Sequence, residues 1–464
     1  MLIRNPYLAA LTLAGVSAGS ASTEITDIGT LDGNVCFARA INDAGSVVGQ
    51  CRAASGHFEP TYWASDGTPE VIAPLDEGRS CDVVGIGDSD VAIGNCEFGD
   101  EAAVAAVRWT APPHRPPQRL NPLEGHMYAR ATQINHAGTI AGASVADDDA
   151  THAVIWTTGA VTPTPLSEQV PSATSCTVTD MSDEEEPTVV GFCGLRRGGR
   201  IAVQWTKGEN GYVVATLSSP ADVPACEAVA INAKLQVAGT CETVHGDRLA
   251  VRWAPDGSLT VLHHVEGAEN QQELWAEGMN EAGDIVGNYV TDDGLHHSFI
   301  WSPTGDPANE RATDLGSLGG FWTTATGIAN DGSIAGTAQN GQGVNEAFIW
   351  TPTMSMAGLG NLGGFTSTVT SISDSGAVAG TSQSITGQFH AFRVADGAPS
   401  GCLFKGHDAA TTGPTRTDAK GANAHVAEHP QRSRPFPFGR GPFSFSTGNP
   451  PAGSDFCMRS KRRF

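Results

Sequence analysis

The sequence predicts an all-β protein, and the fold that it favours is a β-propeller of eight four-stranded blades. Two short sequence phrases recur along the chain at spacings of 44 to 50 residues, and repeats of this length with four strands each are typical of propellers. Only 17% of the residues are charged and 56 are glycine, which suits short strands and tight turns better than helices. Seven blades or an open β-solenoid also fit this pattern.

The first phrase is an apolar residue followed by a turn rich in Asn, Asp and Gly, as in Ile41-Asn42-Asp43-Ala44-Gly45. These residue types tolerate the backbone angles that a hairpin turn requires, so each copy predicts a β-hairpin. The eight copies begin at Ile41, Ile86, Ile134, Met181, Ile231, Met279, Ile328 and Ile372.

The second phrase is a strand-like segment that ends in tryptophan. Its copies end at Trp63, Trp109, Trp156, Trp205, Trp253, Trp301 and Trp350, and Val394 takes the place in the eighth copy. In the first unit the pattern predicts four strands, at 25–31, 36–41, 46–51 and 58–63. A lone four-stranded sheet would expose an apolar face, whereas sheets stacked around an axis bury both faces.

The ends of the repeat region predict how the ring closes. The eighth unit lacks the strand that follows the tryptophan in the other units. We expect the N-terminal strand, at 25–31, to fill the vacant position and lock the ring.

Eight of the ten cysteines fall at one pair of repeat positions, on either side of the predicted turn. Repeats that lack one cysteine of the pair also lack its partner, as expected for disulfides between directly opposed residues of a hairpin. Metal ligation would need closely spaced ligands such as Cys-x-x-Cys, and none occurs, so we predict no metal site. The predicted disulfides join Cys36 to Cys51, Cys81 to Cys96, Cys176 to Cys193 and Cys226 to Cys241. The pairing of Cys402 and Cys457 is left open.

The repeats resemble the HAF family of probable extracellular bacterial repeat proteins, which is named for a His-Ala-Phe motif. The motif stands here as His390-Ala391-Phe392, and the family's Leu-Gly-x-Leu-Gly-Gly opening is matched at 315–320 and 359–364. The resemblance is sharp in the last third of the repeat region and weaker before it. It implies export and a repeat scaffold, and it implies no activity.

Both ends of the chain differ from the repeats. Residues 1–21 are predicted to be a signal peptide, with Arg4, a short apolar run and small residues before the expected cleavage after Ala21. The propeller is predicted for 22–398, and a disordered, basic tail rich in Gly, Pro and Ser for 399–464. We therefore expect an exported monomer, periplasmic or extracellular, without a transmembrane segment.

The sequence offers no motif for a known catalytic chemistry, and we assign no catalytic residue and no cofactor. It lacks a Gly-x-Ser-x-Gly elbow, a His-Glu-x-x-His motif and a P-loop. A net charge of −23 argues against nucleic acid as a partner. We interpret the repeated His152, His297 and His390, and the repeated tryptophans, as structural. The acidic runs at 147–149 and 292–293 are interpreted as solvated turns rather than as calcium ligands.

Four aromatic residues in irregular segments are candidate ligand-binding residues. Phe321, Trp322 and Phe365 follow Gly-Gly in adjacent repeats, so we expect them side by side on one face. Trp275 follows an atypical insertion that begins at His263-His264. The favoured hypothesis is a secreted non-catalytic scaffold that binds a glycan or an envelope or other protein partner. The alternatives are a propeller polysaccharide hydrolase or lyase, and a structural component of a surface or matrix.

Overall fold

A computed structural model describes residues 25–394 apart from short gaps at 32–34, 55, 77–78, 100–102, 111–115, 167–168, 263–264, 267–270 and 304–311. The segments predicted to be a signal peptide and a tail, Cys402 and Cys457, and the two histidines at 263–264 lie outside the described residues. Within the described ranges the secondary structure is β-strand, and no helix there is long and apolar enough to cross a membrane.

The first strand is short and stands apart from the first blade, and the next sixteen strands form four blades in chain order. These strands are β1 (Thr26–Asp27), β2 (Cys36–Ile41), β3 (Val47–Arg52), β4 (Phe58–Trp63), β5 (Pro69–Val71), β6 (Cys81–Ile86), β7 (Ala92–Phe98), β8 (Ala103–Trp109), β9 (Gln118–Arg119), β10 (Tyr128–Ile134), β11 (Ile140–Val145), β12 (Thr151–Trp156), β13 (Thr164–Pro165), β14 (Ala173–Met181), β15 (Val189–Leu195), β16 (Arg200–Gly208) and β17 (Gly211–Thr216).

The second half of the chain repeats this arrangement, with one short extra strand, β22, beside the sixth blade. Its strands are β18 (Ala225–Ile231), β19 (Val237–Glu242), β20 (Arg248–Trp253), β21 (Leu259–Val261), β22 (Val265–Glu266), β23 (Gln271–Met279), β24 (Ile285–Thr291), β25 (His296–Trp301), β26 (Ala312–Asp314), β27 (Gly319–Ile328), β28 (Ile334–Asn340), β29 (Asn345–Thr351), β30 (Ser355–Gly358), β31 (Gly363–Ile372), β32 (Val378–Ser384) and β33 (Phe389–Val394).

These strands form an eight-bladed β-propeller, as the sequence predicts. Each blade is an antiparallel sheet of four strands, which we call A to D from the axis outward, and the A strands of most neighbouring blades contact one another. The turns between strands A and B lie at one end of the ring, called the AB end. The turns between strands B and C lie at the opposite, BC end.

The first strand of the chain closes the ring. In the eighth blade β1 supplies strand D, because Thr26 and Asp27 pair antiparallel with Arg393 and Phe392 of β33. The imidazole Nδ1 of His390 lies 2.8 Å from the Asp27 carboxylate. The strand that the sequence placed at the start of the first unit therefore belongs to the last blade, as the closure prediction requires.

Aromatic rings fill the space between blades. In the fifth blade, where Val251 stands two residues before Trp253, the Trp253 ring lies over the glycine of strand B. A Cβ atom on that residue, Gly239, would lie 2.4 Å from the indole. Six of the seven repeat tryptophans are fully buried in this core, namely Trp63, Trp109, Trp156, Trp205, Trp253 and Trp301.

All four predicted disulfides are formed, and each joins directly paired residues of strands A and B, with Cα atoms 4.0 to 4.1 Å apart. The bonded pairs are Cys36 with Cys51, Cys81 with Cys96, Cys176 with Cys193 and Cys226 with Cys241. The residues at the same positions in the other blades are also direct pairs. These are Ala129 with Ser144, Leu274 with Tyr289, Thr323 with Ala338 and Ser367 with Ser382.

Candidate functional site

The predicted aromatic residues of the seventh and eighth blades lie at the BC end. Phe321 and Phe365 occupy the third positions of β27 and β31, so they are equivalent residues of adjacent blades. Their side chains are 72% and 78% exposed, and Ile385, in the BC turn of the eighth blade, is 84% exposed. We call the surface formed by Phe321, Phe365 and Ile385 the aromatic face.

The backbone of the aromatic face is held by the same contact in both blades. The amide of Phe321 donates to Oε1 of Gln339 at 3.1 Å, and the amide of Phe365 donates to Oε1 of Gln383 at the same distance. The Gln383 side chain in turn donates to the carbonyl of Gly387 at 3.0 Å. Both phenyl rings thus project from a fixed strand and not from a long loop.

The other two predicted residues are more enclosed. Trp322 is half-buried, and its backbone pairs with His296 of the sixth blade. Trp275 lies in the innermost strand of the sixth blade, where the Arg248 guanidinium sits 3.7 Å from the ring centroid and the indole donates to Glu277 at 2.8 Å. Trp275 is therefore half-buried between the fifth and sixth blades, and it is more enclosed than Phe321 or Phe365.

A second cluster, which no sequence motif identified, lies at the axis of the AB end. His136 from the third blade lies 3.5 Å from Asp88 of the second, 3.8 Å from Asp183 of the fourth and 3.7 Å from Asp374 of the eighth. Asp43 of the first blade completes the group. We call these five residues the axial cluster. Blades that are not neighbours therefore meet through side chains at this point.

The charges of the axial cluster alter its protonation equilibria. Burial by itself lowers the pKa of His136, but Asp183, Asp88, Asp374 and Asp43 together outweigh it, and the pKa is raised above its ordinary value. The pKa of Asp374 is also raised, first by burial, although the charge of His136 opposes the change.

The axial cluster contains two groups of three side chains whose ligand atoms lie within 4.8 Å of one another, and each group includes His136. This spacing would allow one divalent cation to be shared. However, the amide of Asp43 donates to Asp88, that of His136 to Asp183 and that of Ser375 to Asp43. These carboxylates already accept hydrogen bonds from the backbone of the turns. We therefore interpret the cluster as a set of ion pairs around His136 that stabilises the turns at the axis.

A signal for the axial cluster exists in the sequence, because its members share one repeat position. Asp43, Asp88, His136, Asp183 and Asp374 are each the second residue of a first-phrase turn, just after Asn42, Gly87, Asn135, Ser182 and Ser373. Equivalent positions far out on the blades stay apart, but equivalent positions next to the axis converge. The position of a residue within the repeat does not by itself show whether it lies next to the axis or far from it.

The histidines that the repeat pattern marks as structural have contacts of that kind. His390 pairs with Asp27 across the ring closure, His297 stacks on Tyr289 with centroids 5.4 Å apart, and His152 packs on His126 at 4.8 Å. Each acidic run accepts a hydrogen bond within its own turn: Asp148 accepts the amide of Ala150 at 3.1 Å, and Asp293 accepts the hydroxyl of Thr291.

Comparison with known proteins finds similarity in structure but not in sequence. No family model and no curated protein matches the chain. A post-proline cleaving enzyme from Rickettsia typhi matches 75% of this chain and 56% of its own, with 11% identity and a TM-score of 0.48. The BP39L lectin from Burkholderia pseudomallei matches 69% of this chain and 97% of its own, with 11% identity and a TM-score of 0.41.

A third similar structure is the Aleuria aurantia lectin, which has 10% identity and a TM-score of 0.31 over 58% of this chain and 89% of its own. The chain spans little more than half the length of the Rickettsia enzyme. These likenesses are too distant to transfer an activity or a ligand. The strand order and pairing described above are what make the chain an eight-bladed β-propeller.

Proposed function

We propose that this protein is an exported, non-catalytic binding scaffold that recognises a glycan through the aromatic face. The observation that carries the proposal is the exposure of Phe321 and Phe365, at 72% and 78%, in equivalent positions of adjacent blades. The proposal agrees with the resemblance of the sequence to the HAF repeats, which implies export and a repeat scaffold.

The exposure of these side chains is costly unless a partner covers them. Burial of apolar surface is worth roughly 25 cal/mol per Å², so two phenyl rings and Ile385 forgo a sizeable stabilisation in the free protein. Exposed apolar patches on soluble proteins commonly mark binding sites. A flat ring can stack on the C–H face of a sugar, and two rings on neighbouring blades would engage successive units of a polymer.

The rigidity of the surrounding backbone supports a binding role. The glutamine contacts to both phenylalanine amides hold the strand starts in place, so little conformational entropy would be lost when a partner is bound. Export is supported by the four disulfides, because disulfides persist in oxidising compartments outside the cytoplasm.

The proposal is tested by titration of the purified protein against a panel of bacterial and plant polysaccharides. We expect saturable binding that becomes at least tenfold weaker in a Phe321→Ala/Phe365→Ala double variant. Val213→Ala is the matched control, since Val213 is 64% exposed on strand D of the fourth blade. Equal binding by the double variant would show that the aromatic face is not the site. If no polysaccharide of the panel bound, the proposal that the ligand is a glycan would be contradicted.

A further inference from the structure

The seventh repeat tryptophan, Trp350, is partly exposed, unlike the six that are buried. The reason lies two residues earlier in its strand. Phe348 is fully buried and occupies the place over the strand B glycine, since a Cβ atom on Gly336 would lie 2.7 Å from its ring. The indole of Trp350 is therefore displaced toward the AB end, where the strand finishes.

Trp301 in the sixth blade is displaced in the same way, but it remains covered. Phe299 takes the place over Gly287, and Arg252 of the fifth blade extends to within 5.7 Å of the Trp301 ring centroid. The residue equivalent to Arg252 in the sixth blade is Ile300, which is shorter and uncharged. Trp350, the neighbour of Ile300, is consequently left open.

The open indole borders a groove between the sixth and seventh blades, with a volume of about 420 Å³. This is within the ordinary range for a small-molecule site, roughly 300 to 1,000 Å³. Its lining includes the apolar surfaces of Trp350, Ile300 and Pro352 and the polar side chains of Asp284, Asn330 and Asp331.

The polar groups of the groove are held in place by contacts on one side. Asp284 accepts a hydrogen bond from Asn280 at 3.1 Å, and Asp331 accepts the amide of Ser333 at 2.8 Å and its hydroxyl at 3.0 Å. Each carboxylate oxygen has more than one acceptor site, so both residues can still accept hydrogen bonds from a ligand. An aromatic platform beside fixed acceptors is a pattern that orients a ligand rich in hydroxyl groups.

The geometry points to a binding site for one neutral sugar unit in this groove. The C–H face of a sugar ring packs on the indole of Trp350, and its hydroxyl groups donate to Asp284 and Asp331. Two carboxylates disfavour an anionic ligand at short range, which selects neutral sugars over uronic acids. The site lies at the AB end, opposite the aromatic face, so each of the two assignments holds or fails without the other.

The inference is tested with the intact protein and four probes: the methyl glycosides of glucose, galactose, mannose and N-acetylglucosamine. Tryptophan fluorescence and acrylamide quenching report on the exposed indole, and calorimetry measures the affinity. We expect at least one probe to bind saturably and to protect Trp350 from quenching. Trp350→Ala and Asp284→Asn/Asp331→Asn should weaken that binding at least tenfold. The methyl glycoside of the uronic acid that corresponds to the bound sugar should bind at least tenfold more weakly than the neutral probe.

Two further variants separate a local effect from a folding defect. Ile300→Arg places an arginine beside Trp350 at the position where Arg252 covers Trp301. It should therefore abolish binding, although every polar group of the groove remains. Asp256→Asn changes an exposed turn carboxylate at the same end of the fifth blade and should leave binding unchanged. Binding that survives both Trp350→Ala and Ile300→Arg, or no saturable change with any probe, would overturn the assignment. The assignment would also be overturned if the sugar probe no longer bound to the Phe321→Ala/Phe365→Ala variant but still bound to the variants of the groove.

Discussion

At the scale of single residues, the asparagine that begins the turn phrase has two roles at the axis. In the third blade Oδ1 of Asn135 accepts the amide of Thr139 at 2.9 Å and closes its own turn. Its Nδ2 donates to the carbonyl of Ser182 in the next blade at 2.8 Å. Asn42 and Asn280 make the same pair of contacts. The sequence predicts the turn from this residue, but not the contact between blades.

His136 gives a prediction about pH. Its raised pKa means that the folded state favours the protonated imidazole, so this stabilisation is fully present below the ordinary histidine pKa of about 6.5. It is lost as the pH rises through the folded-state value. A His136→Gln variant should therefore be less stable than the wild type at pH 5.5, and the difference should shrink by pH 8.5. We expect a difference of up to about 0.5 kcal/mol, because His136 and its carboxylate partners are partly exposed.

Thermal unfolding of both proteins at the two pH values measures this difference. Addition of 0.5 M NaCl should reduce it at pH 5.5, since salt screens partly exposed charges. A difference that grows toward pH 8.5 would show that the axial carboxylates do not stabilise the protonated imidazole.

At the scale of elements, the AB hairpin is the best-predicted part of the molecule. Its cysteine positions fix which residues of strands A and B are opposed, and all eight blades follow that register. The sequence does not predict the β-bulge that every AB pair contains, for example between Ala38 and Ala40 or between Ala228 and Ala230. The bulge adds twist near the axis, and the small residues there do not reveal it.

The AB turn of the fifth blade gives a prediction about stability. Leu235 takes a φ of 57° at the position where most other blades have glycine, such as Gly45 and Gly138. The left-handed conformation costs an ordinary side chain about 1–2 kcal/mol. We therefore expect Leu235→Gly to raise the free energy of unfolding by about 1 kcal/mol.

Calorimetric unfolding compares this variant with Ala233→Gly, a neighbour in the same turn whose φ is not positive. The control should be slightly destabilised, because glycine only adds freedom to the unfolded chain there. If the two variants changed stability in the same direction, strain at Leu235 would not be the cause.

At the scale of the whole molecule, ring closure brings together residues more than 300 positions apart. Besides the pairing of β1 with β33, Arg393 donates to the carbonyl of Gly45 at 2.7 Å, and the amide of Ser375 donates to Asp43 at 2.8 Å. The vacancy in the eighth unit was enough to predict this closure. The Trp350 groove was not predictable from the sequence. It depends on which aromatic ring of strand C lies over the strand B glycine in the sixth and seventh blades, and on whether the preceding blade supplies a side chain that covers the tryptophan.

Removal of the closing strand should weaken the whole ring. A chain that begins at Thr30 lacks Ile25 and Ile28, both buried in the closed structure. Loss of two buried isoleucines and one paired edge should lower Tm by more than about 5 °C. The open edge of the eighth blade should also favour association between copies.

A chain that begins at Ile25 keeps β1 and serves as the control, and its Tm and association state should equal those of the full chain. Size-exclusion chromatography with light scattering and calorimetry report both effects. Equal Tm values for the two shortened chains would mean that the first strand does not close the ring.

The central claim is that this propeller binds a glycan without cleaving it. The most direct measurement follows one bound polysaccharide for a day, recording its binding to the protein and its chain length by light scattering in the same samples. The account predicts saturable binding, weakened by the Phe321/Phe365 double variant, with the chain length unchanged. A polymer that becomes shorter in proportion to protein concentration would contradict it and would make the protein an enzyme.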